Sequence, residues 1–186
     1  MKLIEIQQPD IEQILQQLGV TDYEITNEGV NVFGNVTITG NFTEIPVQFN
    51  IVSGNFYYDT TNITSLKGAP REVGGNFSCY KTHIASLKGA PREVGGNFSC
   101  SYTKVTSLQG APREVVGNFI CGNTPITSLQ GAPREVGGFF SCSSTNITSL
   151  EGAPREVGGD FWCVNTNIKT KPDTTGINIG GELIWK

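Results

Sequence analysis

Hydrophobic residues recur along this chain with a period of 21 residues. The hexapeptide Gly-Ala-Pro-Arg-Glu-Val begins at Gly68 and again at 89, 110, 131 and 152. Each repeat also carries Phe, Cys, Leu and a β-branched residue at fixed positions, and the Phe row starts one repeat earlier, at Phe56. A fixed period of this length is typical of a solenoid, in which each repeat buries its apolar side chains against its neighbours.

Within one repeat, apolar and polar residues alternate over a short stretch. Between Val73 and Tyr80, the apolar Phe77 and Cys79 are separated by polar residues, which predicts a strand with one buried face. The residue before a proline favours extended backbone, so the Ala-Pro step predicts an extended return segment. We therefore predict a mainly β solenoid with one strand per turn, and these strands pair as a parallel sheet about 4.8 Å apart.

The N-terminal segment predicts a helical cap. Asp10, followed by Gln13 three residues later, has the spacing of a capping box, and Gly19 is a natural helix stop. Helical spacing of apolar residues is kept by Ile11, Ile14, Leu15 and Leu18. This helix should cover the first open turn of the solenoid.

The remaining elements divide a single domain, residues 1–186, into four parts. The helical cap takes 1–29, a hairpin and the first turn take 30–50, the repeats take 51–168 and a C-terminal cap takes 169–186. The hairpin is predicted around Gly34-Asn35, a favoured two-residue turn. In the C-terminal cap, 177–179 and 183–185 are predicted to form one closing turn or a hairpin.

Composition narrows the classes of function. The 186 residues carry a net charge of −4, and an acidic chain without a basic block is a poor nucleic-acid binder. No apolar run approaches the ~20 residues that span a bilayer, and the first residues lack signal-peptide features, so we expect a cytoplasmic protein with no membrane partner. A single His, His83, leaves little for metal or acid–base chemistry. We expect no catalytic residue, no metal and no cofactor.

All five cysteines lie on one row of the repeat. They are Cys79, Cys100, Cys121, Cys142 and Cys163. Disulfide or zinc frameworks are the alternative for five cysteines, but the count is odd, no Cys-x-x-Cys occurs, and the row occupies the inward strand position. We therefore predict a buried ladder of reduced thiols that pack as small apolar groups.

Two surfaces are candidates for binding. Arginine and glutamate rows begin at Arg71 and Glu72; they could form an anion-binding stripe, but adjacent opposite charges favour a solvated convex face. The outward face of the strands, in contrast, varies between repeats, and we place on it the asparagines that precede most Phe residues. Exposed aromatic and apolar side chains mark binding hot spots, although they could also brace the sheet. The predicted partner-binding residues are Tyr57, Asp59, Tyr80, Tyr102, Ile120, Asn123, Phe139 and Trp162.

The repeat resembles two related patterns. Gly74-x-x-Phe77-x-Cys79-x-x-Thr82-x-Ile84 resembles a leucine-rich repeat, with Thr where that family has Asn. Ser65-Leu66-x-Gly68-x-Pro70-x-x-Val73-x-Gly75-x-Phe77-x-Cys79 is similar to repeats in proteins of tailed bacteriophages. The resemblance covers roughly residues 24–168.

This resemblance implies a leucine-rich-repeat fold, a phage-like origin and binding rather than catalysis. A phage protein of this kind would capture or inhibit a host bacterial protein, with a defence component as one candidate. It also implies that the threonine row, beginning at Thr61, makes the backbone hydrogen bonds of the turn.

Three functions are therefore compared. The first is protein binding through the strand face. The second is a structural or self-assembling protein that associates through its solenoid ends, so that the chain is a monomer or a weak homo-oligomer. The third, an enzyme or metal protein, is disfavoured because the sequence lacks clusters of His, Cys and Asp.

Overall fold

The chain winds into a solenoid with two parallel β-sheets on adjacent sides. The computed structural model describes residues 9–186, and within that range the two sheets contain nine and eight strands. A single short helix, α1 (Pro9–Gln17), precedes them. The predicted fold class, a mainly β solenoid with an N-terminal helical cap, is confirmed.

Each strand pairs with its equivalent one turn away. Sheet A consists, in spatial order, of β1 (Tyr23–Thr26), β2 (Gly29–Val32), β4 (Phe49–Val52), β6 (Glu72–Val73), β8 (Glu93–Val94), β10 (Glu114–Val115), β12 (Glu135–Val136), β14 (Glu156–Val157) and β16 (Asn178–Ile179). Sheet B consists of β3 (Val36–Thr37), β5 (Phe56–Tyr57), β7 (Phe77–Ser78), β9 (Phe98–Ser99), β11 (Phe119–Ile120), β13 (Phe140–Ser141), β15 (Phe161–Trp162) and β17 (Leu183–Ile184). Among the strands described, β1 and β2 pair antiparallel and the other pairs are parallel.

The prediction of one strand per turn was wrong, because a glycine pair divides the predicted strand into two. In a typical repeat, β6 ends at Val73, the chain turns at Gly74-Gly75, and β7 begins at Phe77. Successive turns approach closely at this corner: a Cβ atom on Gly95 would lie 2.2 Å from the carbonyl oxygen of Gly74. Val73 therefore faces inward on one side of the bend, and Phe77 and Cys79 face inward on the other.

An asparagine ladder runs along this corner. The side-chain oxygen of Asn55 accepts a hydrogen bond from the Asn76 N–H at 2.7 Å, and Asn76 accepts in the same way from Asn97. Asn97 and Asn118 continue the series to the N–H of residue 139. These asparagines, which the sequence analysis placed on the outward face, therefore join consecutive turns.

The threonine row makes the backbone bonds that the resemblance implies. Thr82 donates its hydroxyl to the carbonyl oxygen of Cys79 at 2.7 Å, three residues earlier in the same turn. The same bond is made by Thr61, Thr103, Thr124, Thr145 and Thr166. Threonine thus closes each turn on itself, whereas asparagine connects one turn to the next.

A column of phenyl rings fills the centre of the solenoid. The rings of Phe77 and Phe98 are 5.1 Å apart and tilted by only 7°, and those of Phe98 and Phe119 are 5.1 Å apart and tilted by 5°. All of these rings are fully buried. Burial of a large apolar side chain contributes ~1.5–3 kcal/mol, so each added turn extends one continuous core.

The N-terminal end is closed by the helix and a hairpin. Leu15 of α1 is fully buried, and the chain leaves the helix through Gly19 at φ +70°. The predicted role of Asp10 as N-cap depends on a side chain that lies outside the described ones. The predicted hairpin at Gly34-Asn35 was wrong. These residues occupy the corner between the two sheets, where the chain bends without reversing, and the hairpin is formed by β1 and β2.

The C-terminal residues complete one more turn. β16 pairs in parallel with β14, and β17 pairs in parallel with β15, so the segment is a closing turn and not a hairpin. Within residues 9–186, no helix combines the length and hydropathy needed to cross a membrane.

Candidate protein-binding face

The outward surface of sheet B has a regular backbone, but its side chains differ from one repeat to the next. Strand register aligns one outward position per turn, occupied successively by Tyr57, Ser78, Ser99, Ile120, Ser141 and Trp162. Strands are about 4.8 Å apart, so Ile120 and Trp162 stand roughly 10 Å apart on either side of Ser141. Along this row, small serine side chains therefore separate the larger side chains of Tyr57, Ile120 and Trp162.

A tyrosine cluster lies toward the N-terminal side of this face. The rings of Tyr80 and Tyr102 meet edge to face with centroids 5.4 Å apart. Between them, the ammonium group of Lys81 lies 5.2 Å from the Tyr80 centroid and 5.8 Å from the Tyr102 centroid. Cation–π geometry of this kind stabilises both rings. Lys81 was missed by sequence reasoning, since nothing in its local pattern separates it from other exposed lysines.

Left-handed backbone places several of these side chains at the end of the strand. Tyr102 has φ +58° and Asn123 has φ +56°, so both belong to the turn that follows the strand. The same conformation is adopted at Thr60, Lys81, Ser144 and Asn165. Non-glycine residues pay ~1–2 kcal/mol for this conformation, and Tyr102 is 50% exposed there.

Hydrogen bonds to the next turn fix the first residues of the face. The Asp59 carboxylate accepts bonds from the Tyr80 N–H at 2.8 Å and from the Ser78 hydroxyl. The Tyr57 hydroxyl accepts from the side-chain amide of Asn76 at 3.0 Å. The Asp59 carboxylate therefore stabilises the contact between two turns, and a hydrogen bond within the protein fixes the orientation of Tyr57.

A second cluster, which we call the apolar cluster, lies toward the C-terminal side. It consists of Ile120 and Trp162, which lie on either side of Ser141, and of Phe139, two residues before Ser141 in the same turn. Trp162 is 38% exposed. Phe139 occupies a ladder position: its N–H bonds to the Asn118 oxygen at 2.8 Å, but its side chain has no oxygen to offer. Among the residues described, the Asp160 N–H consequently has no ladder acceptor.

The predicted site residues thus fall into two groups on one face. Tyr57, Asp59, Tyr80 and Tyr102 lie together on one side, and Ile120, Phe139 and Trp162 lie together on the other. Asn123 is exposed in the turn that follows β11. His83 is exposed.

The charged rows lie along sheet A. The glutamates are on its strands, where Glu114 pairs in register with Glu93 and Glu135. Arg71 and Glu72 form an ion pair at 2.9 Å, and Arg134 and Glu135 form another at 3.3 Å. Such exposed pairs contribute little to stability.

A shallow groove follows the glutamate row. One section, about 310 Å³ in volume, is lined by Glu114, Glu135, Gly137 and other residues of sheet A. Val116 stands 70% exposed within it, at a position that is glycine in the other four repeats that contain Gly-Ala-Pro-Arg-Glu-Val. The sequence signal was present, because Val115-Val116-Gly117 interrupts the repeated Val-Gly-Gly.

The cysteine ladder is confirmed as a set of buried free thiols. All five cysteines are unpaired among the described residues. Burial raises the pKa of Cys100 to about 12 and that of Cys163 to about 11. Since the thiolate is the nucleophile and metal ligand, these groups are inert packing atoms. No group of three or more His, Cys, Asp or Glu side chains suited to a metal occurs within residues 9–186.

Comparisons with protein-family models, with curated proteins and with solved structures gave no match. The geometry of the chain itself is therefore what bears on its function.

Proposed function

We propose that this protein is a non-catalytic binding module that recognises another protein through the outward face of sheet B. One observation carries the proposal: Phe139 stands in a row whose side-chain acceptors are asparagine or aspartate, and it interrupts the ladder that joins the turns. An intramolecular hydrogen bond is worth about 0.5–1.5 kcal/mol. A residue that breaks a local structural rule at such a cost is typical of a functional site.

The neighbours of Phe139 strengthen the proposal. Ile120 and Trp162 flank Ser141 on the same face, and Phe139 precedes Ser141 by two residues in the same turn. The tyrosine cluster supplies further aromatic side chains that are already oriented by contacts within the protein. Tyr and Trp dominate binding hot spots because they bring a large contact area at a low entropic cost.

The resemblance of the repeats suggests the kind of partner. The 21-residue repeat supports assignment to the leucine-rich-repeat class and to a phage-like origin, and a host bacterial protein, such as a defence component, is then the partner that we propose. Free, buried thiols are consistent with a reducing compartment, and we place the interaction in the cytoplasm.

The experiment compares two variants in affinity capture and calorimetry. The first combines Tyr57→Ala, Tyr80→Ala and Trp162→Ala on the proposed face. The control combines Arg92→Glu, Arg113→Glu and Arg134→Glu on the charged rows. Truncation of one aromatic hot spot can cost more than ~2 kcal/mol of affinity, or roughly thirtyfold.

We expect both variants to keep the far-ultraviolet spectrum of the wild type. A bacterial protein retained by the wild type and by the arginine variant, but lost by the aromatic variant, would support the proposal. Retention by the aromatic variant together with loss by the arginine variant would move the site to the charged rows and refute it.

A further inference from the structure

The outward face of sheet B holds one carboxylate of its own, and that carboxylate shows which donors such a group uses here. Asp59 accepts from the Ser78 hydroxyl and from the Tyr80 N–H, the latter at 2.8 Å, and both bonds go to the same carboxylate oxygen. Ser78 and Tyr80 belong to the turn that follows Asp59. A carboxylate on this face is thus bound by a hydroxyl and a backbone N–H that converge from the next turn, and bonds to an ionised acceptor are the stronger kind.

The same pair of donors recurs farther along the face. Three periods of 21 residues map Ser78 onto Ser141 and Tyr80 onto Ser143. Among the described residues, neither the Ser141 hydroxyl nor the Ser143 N–H has an acceptor. The Ser143 hydroxyl is buried and has no partner in that part of the chain either. This turn therefore keeps the donors that bind Asp59, and the fold does not use them.

Glycine stands where the carboxylate would be in this turn. The same three periods map Asp59 onto Gly122. A Cβ atom on Gly122 would lie 3.7 Å from the Ser143 nitrogen and 2.8 Å from the Ser143 carbonyl oxygen, so the space above the glycine adjoins the N–H. That carbonyl oxygen already accepts from the Asn123 N–H at 3.0 Å. We call the space between Gly122, Ser141 and Ser143 the Gly122 notch.

The neighbouring turns lack one part or another of this arrangement. Ser99 supplies the hydroxyl one turn after Ser78, but the position before it is Tyr80, whose ring packs edge to face on Tyr102. In two other turns Ile120 and Trp162 replace the hydroxyl. Within the described repeats, only the Gly122 notch combines the glycine with both donors.

The surroundings of the notch favour an anion that brings apolar neighbours. Residues 119–126 and 140–147, which form the two turns around it, include no acidic or basic residue, so no carboxylate there repels another. Ile120 and Trp162 flank Ser141 in the outward row. Apolar side chains that exclude water lower the local dielectric constant, and hydrogen bonds to a charged group become stronger in such a setting.

We propose that the Gly122 notch binds the carboxylate of an aspartate or glutamate side chain of the partner protein, with the Ser141 hydroxyl and the Ser143 N–H as donors. This inference rests on the proposed function and adds the chemistry of its central contact. The partner inserts one acidic side chain into the notch and covers Ile120 and Trp162 with apolar side chains. The contact reproduces between two proteins the bonds that Asp59 makes within one.

An NMR titration with N-acetyl-aspartate N-methylamide tests the notch without a partner protein. The amide signal of Ser143 should move to lower field and saturate at millimolar probe. The equivalent blocked asparagine, which has the same shape and no charge, should bind about tenfold more weakly. Ser141→Ala removes one donor and should weaken binding of the aspartate probe about tenfold. The matched control, Ser99→Ala, should bind it like the wild type, because Tyr80 fills the position before Ser99.

Asp59→Gly supplies a gain-of-site test. This variant removes the internal carboxylate from Ser78 and Tyr80, so the aspartate probe should shift the Tyr80 amide as well as that of Ser143. A Tyr80 amide that does not respond would contradict the equivalence of the two sites. A wild-type Ser143 amide without a saturable shift would overturn the proposal, and so would equal binding of the two probes or a Ser141→Ala variant that binds like the wild type.

The outcome for the notch is separate from that for the proposed function. Loss of the partner by the triple aromatic variant, together with no response to the aspartate probe, would leave the protein-binding face in place and refute the notch. Binding of the probe, together with a partner that the triple aromatic variant retains, would leave a carboxylate site and refute the proposed function.

Discussion

Replacing Gly96 with alanine perturbs the asparagine ladder at a single rung. A Cβ atom at this position would lie 2.5 Å from the side-chain oxygen of Asn76, and 2.8 and 2.9 Å from the backbone of Gly75. That oxygen accepts the N–H of Asn97 at 2.7 Å. The methyl group therefore displaces the acceptor, and the alanine can be accommodated only if the two turns move apart.

The cost follows from the bond that is lost. Leaving a partly buried N–H without its acceptor costs about 1–3 kcal/mol, and separation of the two turns weakens the neighbouring contacts as well. Replacing glycine by alanine restricts the unfolded chain and returns about 0.4–1 kcal/mol. We expect the free energy of unfolding to fall by roughly 1–2 kcal/mol.

Gly159 provides a matched control within the same molecule. It occupies the same corner position, but its ladder neighbour is Phe139, which has no side-chain oxygen. The nearest atoms to a Cβ there are at 3.1 Å, and they belong to the backbone of Gly138 and Phe139. A shift of a few tenths of an ångström relieves this contact, so Gly159→Ala should stay within about 1 kcal/mol of the wild type.

Urea unfolding followed by far-ultraviolet circular dichroism measures both variants. A double-mutant cycle with Asn76→Ala isolates the role of the side-chain oxygen, because part of the cost of Gly96→Ala should vanish once that oxygen is gone. If Gly159→Ala is as destabilising as Gly96→Ala, or if the cycle shows no coupling, then backbone crowding alone requires glycine and the ladder argument fails.

Three other outcomes are expected. Phe139→Asn should restore the acceptor for the Asp160 N–H and raise the free energy of unfolding by about 0.5–1.5 kcal/mol in urea titrations, while Phe139→Ala, which restores nothing, should not. Stability should decline as the pH rises above about 9, because the buried Cys100 thiol, with its pKa raised to about 12, keeps a proton that the unfolded chain has lost; melting temperatures should show a shallower decline for Cys100→Ala. Deletion of 89–109 removes one full period and should leave a folded protein with a lower melting temperature, because the register of the remaining turns is unchanged; an unfolded product, judged by circular dichroism, would contradict this.

The period and the core rows could be predicted from sequence because translation by one repeat maps each apolar side chain onto its equivalent. The same regularity hid the bend at Gly74-Gly75. Alternation of Val73, Phe77 and Cys79 fits a continuous strand as well as two short strands around a corner, and only the distance between successive turns, which leaves no room for a Cβ atom at Gly95, distinguishes them. Pattern alone does not encode that distance.

The binding face was predicted in its residues but not in their arrangement. Departures from the repeat pointed to Phe139 and Trp162, whereas the role of the asparagines depends on where a side-chain oxygen lies relative to the next turn. Left-handed backbone at Tyr102 likewise arises from the geometry of the turn, since tyrosine has no preference for it. Lys81 joins the tyrosines for the same reason.

The hydrogen bonds between turns run along the solenoid axis, and this direction determines how the molecule would respond to force. Tension applied between its two ends loads these bonds lengthwise, so the outermost turn detaches while the others remain intact. Each detached turn releases 21 residues, or about 70 Å of extended chain. The protein should therefore lengthen under load in a series of nearly equal steps, in the manner of an extensible tether.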